Sequence, residues 1–147
     1  MKKQISRALL GLAAALALAA AADAQALRKV TVRVPFDFVA GGKQMPAGGY
    51  TVRRVRSDAE TALLIRSEDG RTSAVVTTNA GKADPTAAAL VFRQHGERYF
   101  LAGVSMPGTA SVRELPRGGA ERRLERELAE QTKSGESKTV TVVGSVQ

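Results

Sequence analysis

Apolar and polar residues alternate with a period of two from Val30 onward. Val30, Val32, Val34, Phe36 and Phe38 fall on one face, and Thr31, Arg33, Pro35 and Asp37 fall on the other. That is the pattern of a half-buried strand. Pro35 has no N–H for a ladder, which predicts an edge position or a bulge there. Gly41 to Gly49 is rich in Gly and Pro and reads as a connection, after which Tyr50 to Arg56 forms the second strand. Ala62 to Arg66 and Ser73 to Thr78 follow, joined through Asp69-Gly70, a pair suited to tight hairpins. Ala89 to His95 and Arg98 to Val104 are separated by Gly96-Glu97, a second hairpin signal. No helical period interrupts these runs. The pattern predicts an all-β domain over 25–117, a six- or seven-stranded antiparallel meander closing into a small barrel or a sandwich.

The period changes after Met106-Pro107-Gly108. Glu121 to Lys133 is dense in Glu, Arg, Leu and Ala, all strong helix formers, and predicts one C-terminal helix within 118–133. Its apolar stripe is thin, with Leu124 and Leu128 at i and i+4. Arg122–Glu125, Arg123–Glu127 and Arg126–Glu130 can pair along its surface, in the weaker orientation with the base first. Residues 134–147 read as a linker and tail in which Thr139 to Val146 alternates again, a possible extra strand. With only two large apolar side chains on the helix, the expectation is that everything from Glu121 to Gln147 is dispensable for folding.

The amino terminus changes where the domain is expected to work. Lys2, Lys3 and Arg7 precede an unbroken Ala/Leu/Gly run from Ala8 to Ala22, and Ala22-Asp23-Ala24 is a small-x-small site before Gln25. This is the layout of a signal peptide spanning 1–24, helical in its apolar part. The run is shorter than the roughly 20 residues that span a bilayer. Cleavage removes three basic residues and one acidic residue, taking the formal charge from +8 to +6. Outside the cytoplasm, in the periplasm or beyond the cell, such a charge points to an envelope protein or to an anionic polysaccharide or lipid surface, not to nucleic acid. The chain has no cysteine, so neither a disulfide framework nor a thiolate site is available to it.

Several motifs, taken in order, carry a resemblance. They are Val34-Pro35-Phe36-Asp37-Phe38, Gly42-Lys43, Pro46-Ala47-Gly48-Gly49-Tyr50-Thr51-Val52, Leu90-Val91-Phe92-Arg93, Gly96-Glu97-Arg98-Tyr99-Phe100-Leu101 and Arg113-Glu114-Leu115-Pro116. Together they resemble a family of small exported β-rich proteins common in acidobacterial genomes, over about Val30 to Ala129. The resemblance implies a compact β-structure with a C-terminal helix. It supplies no catalytic residue.

Candidate chemistry is sparse. His95 is the only histidine and precedes a turn, so it reads as a solvent-facing residue at a strand end. A single histidine cannot build a typical zinc site, which needs three or four N, S or O ligands, and no metal or cofactor is expected. Asp37 alternates outward between two phenylalanines and reads as an exposed or loop-capping group. Asp58, Glu60, Glu68 and Asp69 sit in turn clusters, with no spacing that favours a pair of carboxylates facing across a cleft. Arg53, Arg54, Arg56, Arg66 and Arg71 form the best basic patch and a possible anion site, although Arg53 and Arg54 point to opposite faces of a regular strand. The sequence therefore predicts an exported, non-enzymatic β-domain acting through its surface. The alternative is a carrier of a small ligand or anion in a cleft at an open barrel end.

Overall fold

The computed structural model describes residues 29–56, 61–82, 87–107, 109, 111–131 and 137–146. The predicted signal peptide lies outside these residues, as do Asp58 and Glu60. The elements in chain order are β1 Val30–Val34, β2 Phe38–Ala40, β3 Lys43–Met45, β4 Gly48–Arg54, β5 Ala62–Ser67, β6 Ser73–Thr77, β7 Asn79–Ala80, β8 Ala89–His95, β9 Arg98–Ser105, β10 Arg113–Glu114, α1 Gly119–Gln131, β11 Lys138–Val143 and β12 Ser145–Val146.

The strands form two sheets, one ordered β12-β1-β4-β5-β6 and the other β11-β8-β9-β10-β7, with β2 and β3 joined to the second through β9. The expected closed barrel is not what forms: β6 is the end strand of its sheet and β11 the end strand of the other. Nor is the order a simple meander. β1 skips β2 and β3 to pair with β4, and β2 runs parallel to β9.

Pro35 explains the first departure. The alternating run from Val30 to Phe38 is two strands, because the ladder stops at Val34 and the chain bends through Pro35 and Phe36 into the second sheet. The Gly41-Gly42 pair, at φ 57° and 82°, then turns β2 tightly into β3. What the composition presents as a connection is thus a hairpin. A second corner lies at Gly144, between β11 in one sheet and β12 in the other. A Cβ on Gly144 would stand 2.5 Å from the backbone oxygen of Thr31, so only glycine lets the chain cross β1 this closely. Its N–H donates to the Ala88 carbonyl at 2.8 Å, tying the corner to the start of β8.

The core lies between the sheets. Val30, Val32 and Val34 of β1, Tyr50 and Val52 of β4, and Leu63 and Ile65 of β5 meet Phe38, Leu90, Phe92 and Val104 from the other side, all essentially inaccessible to solvent. Phe38 packs edge-on against both Tyr50 and Phe92, the geometry aromatic quadrupoles favour. Phe36 at the corner stacks on Tyr99 and meets Phe92 edge-on. The tail is part of this structure. β11 pairs with β8 along its whole length, from Lys138↔Gln94 to Val143↔Ala89, and Val140 and Val142 pack against the core.

Candidate functional site: the joint between the helix and β8

In β8, Leu90 and Phe92 face the core, which turns Arg93 and His95 towards α1. On α1, Glu121, Glu125 and Leu128 share one face at i, i+4 and i+7, with Leu124 beside them. The helix therefore docks with a stripe headed by a carboxylate. Glu121 is its one fully buried residue.

Arg93 grips Glu121 through both carboxylate oxygens, Nε to Oε1 at 2.5 Å and Nη2 to Oε2 at 3.0 Å. Its two terminal nitrogens also reach the Leu115 carbonyl at 3.4 Å. His95 Nε2 lies 3.1 Å from Glu121 Oε1 and 3.4 Å from Glu125 Oε1, while Arg117 Nη1 approaches the same Glu125 oxygen at 3.4 Å. The side chains of His95 and Glu121 are each 3 % exposed. Burial by itself raises the pKa of the Glu121 carboxyl. Hydrogen bonds from Arg93 and His95, with the charges those groups carry, outweigh it and hold the carboxyl below its ordinary value.

His95 is thus buried, not the solvent-facing strand end that its neighbour Gly96 suggests. The β8–β9 turn does begin at Gly96, at φ 61°, but α1 lies over that end of the strand, with Leu128 Cδ1 4.0 Å from where a Gly96 Cβ would stand. The partners Arg93, Glu121 and Glu125 do not stand out in the sequence. The available signal was that Glu121 and Glu125 share a helical stripe with Leu124 and Leu128, while Arg93 and His95 alternate against an apolar strand face.

The arginines of the predicted patch are spread out. Arg53 and Arg66 lie exposed on the outer face of the first sheet, on adjoining cross-strand positions, since Arg53 faces Leu64 and Arg66 faces Thr51. Arg54 faces buried Leu63 on the other side of the strand and is half-buried. Arg56 is exposed just beyond β4. Arg71 sits in the β5–β6 turn, 3.9 Å from Asp69. Asp37 is exposed and accepts a hydrogen bond from the Ala47 N–H at 2.7 Å, the loop-capping role its alternation predicts.

A groove of about 340 Å³ opens beside the joint, between the Gly41-Gly42 turn, Val75 and Val76 of β6, Phe100 of β9 and the Arg117–Glu121 segment that starts α1. Among the described residues, no helix is long and apolar enough to cross a membrane. Comparisons of the chain with protein-family models, with curated proteins and with solved structures return no match.

Proposed function

We propose that the chain is an exported, non-enzymatic β-domain, of the acidobacterial kind its motifs resemble, that serves as an interaction or structural module of the cell envelope. The observation that carries this reading is how the most reactive side chains are used. Arg93, His95 and Glu121 spend their polar atoms on one another in the helix–strand joint, with His95 and Glu121 each only 3 % exposed. A general acid or base needs an approach for substrate, and these groups are covered by the elements they join. The mature charge of +6 and the outward Arg53 and Arg66 support contact with an anionic polysaccharide, a lipid surface or an acidic envelope protein.

The second reading is a carrier of a small ligand or anion. It is favoured by the groove beside α1, whose lining combines Val39, Val75, Val76 and Phe100 with Arg117. Native mass spectrometry of the protein isolated from its host's envelope fraction separates the two. A chain beginning at Gln25 in a defined complex with an envelope macromolecule supports the module. A reproducible small-molecule adduct on the monomer supports the carrier and overturns the first reading.

A further inference from the structure

Three donor atoms converge where α1 crosses β8. His95 Nε2 is 3.1 Å from Glu121 Oε1 and 3.4 Å from Glu125 Oε1, and the donor atoms of the three side chains all fall within 4.8 Å of one another. Two ligands each about 2.0–2.1 Å from a tetrahedral zinc ion are themselves about 3.3 Å apart. The two imidazole–carboxylate separations bracket that value, and would subtend about 100° and 110° at the ion. A hydrogen-bonded imidazole needs one carboxylate at Nε2. Here a second approaches from one helical turn further on, at a distance long for a hydrogen bond.

We propose that His95 Nε2, Glu121 Oε1 and Glu125 Oε1 form a three-ligand site for a divalent transition-metal ion, zinc foremost, that fastens α1 to β8. The donor set selects the class of ion. One imidazole and two carboxylates suit zinc and its neighbours, whereas calcium requires six to eight oxygens and magnesium a mostly hydrated octahedron. The surrounding charges fit as well. A carboxylate has about four lone-pair positions, so Glu121 ligates while Arg93 keeps its two hydrogen bonds as the outer-sphere donor that fixes the ligand's orientation. Arg117, with 52 % of its side chain exposed, gives up Glu125 to the ion and turns towards solvent. Glu125 is the most exposed of the three ligands, at 26 %, and its rotation closes the remaining carboxylate–carboxylate edge. Ligation through Nε2 requires that nitrogen to give up the proton it shares with Glu121, so the ring binds with its one proton on Nδ1. A water molecule completes the tetrahedron. The site is independent of the surface role proposed above, since it acts within the fold.

The test uses the purified protein stripped with a chelator and titrated with Zn²⁺ by calorimetry and with Co²⁺ by absorption. Because His95 is the only histidine, its ring signals in the NMR spectrum report directly on ligation. The expected result is one equivalent bound, tetrahedral Co²⁺ bands, and a shifted His95 resonance. Glu125→Gln leaves the Arg93–Glu121–His95 contacts in place, so it folds, and it weakens binding by about tenfold or more. His95→Gln abolishes the Co²⁺ bands, whereas Glu127→Gln, on the exposed helix face, changes nothing. Absence of saturable binding overturns the proposal. So does one-equivalent binding that survives both Glu125→Gln and His95→Gln.

Discussion

Arg93 of β8 and Glu121 of α1 form a two-pronged ion pair between a strand and a helix 28 residues apart in the chain. It anchors a helix whose apolar contribution is small, since Leu124 and Leu128 are only half-buried. Removing one member of a buried pair leaves the other charge without compensation, at about 3–5 kcal/mol. Glu121→Ala is therefore expected to lower the unfolding free energy by up to that amount in urea titrations. The double substitution Arg93→Leu with Glu121→Leu should recover most of the loss, because two apolar groups of similar size replace an ion pair at little net cost. A double variant as unstable as the single one would mean that the geometry of the pair, not the avoidance of a lone charge, holds the helix.

Gly144 is where β11 passes into β12, and a side chain there meets the Thr31 carbonyl and Val32 Cγ2. Gly144→Val should detach β12 from β1 and lower stability by about 1–3 kcal/mol, the usual range for overpacking. Thermal unfolding of the variant checks this. An unchanged midpoint would show that the β12–β1 pairing contributes nothing.

Deleting residues 138–147 removes all of β11 and leaves the edge of β8 open. The sequence pattern suggests a dispensable tail, but the six-residue ladder to β8 and the packing of Val140 and Val142 predict the opposite. The truncated protein should unfold at a clearly lower temperature and self-associate through the bared strand. Sedimentation combined with calorimetry would detect both effects.

Tyr50 is 1 % exposed and donates its hydroxyl hydrogen bond to the Pro46 carbonyl. Burial, then the nearby Asp69 and Asp37 charges, raise its pKa above the ordinary value of 10.0. The folded state thus keeps a proton that the unfolded chain releases near pH 10. The resulting stability is complete below that pH and lost as pH climbs through the folded value. Tyr50→Phe should be about 1 kcal/mol less stable at neutral pH, for want of the hydrogen bond, and should show a shallower alkaline decline. Urea midpoints of both proteins from pH 8 to 11 test the sign; equal slopes would contradict it.

The strands from β4 to β6, β8 and β9 were legible because each combines period-two alternation with a glycine turn, as at Asp69-Gly70 and Gly96-Glu97. The strand from Val30 to Phe38 misled because alternation records which side is buried, not which sheet the burial is in. Both halves face the same core from different sheets, so the pattern runs unbroken across the bend at Pro35. Short pairings such as β7 with β10 have no period to read. The joint at α1 was hidden for another reason: His95 precedes a true turn, and only the three-dimensional return of the helix buries it. Single residues such as Arg93 and Glu121, 28 apart, carry no local signal of their contact.

Hydrogen exchange across α1, comparing the native protein with Glu121→Gln, tests most directly whether this polar cluster serves as an anchor and not as open chemistry. The amides of residues 119–131 are expected to lose protection in the variant while those of β4, β5 and β9 keep theirs. Unchanged protection along the helix would contradict it, leaving Arg93, His95 and Glu121 without the structural role that supports a non-enzymatic domain.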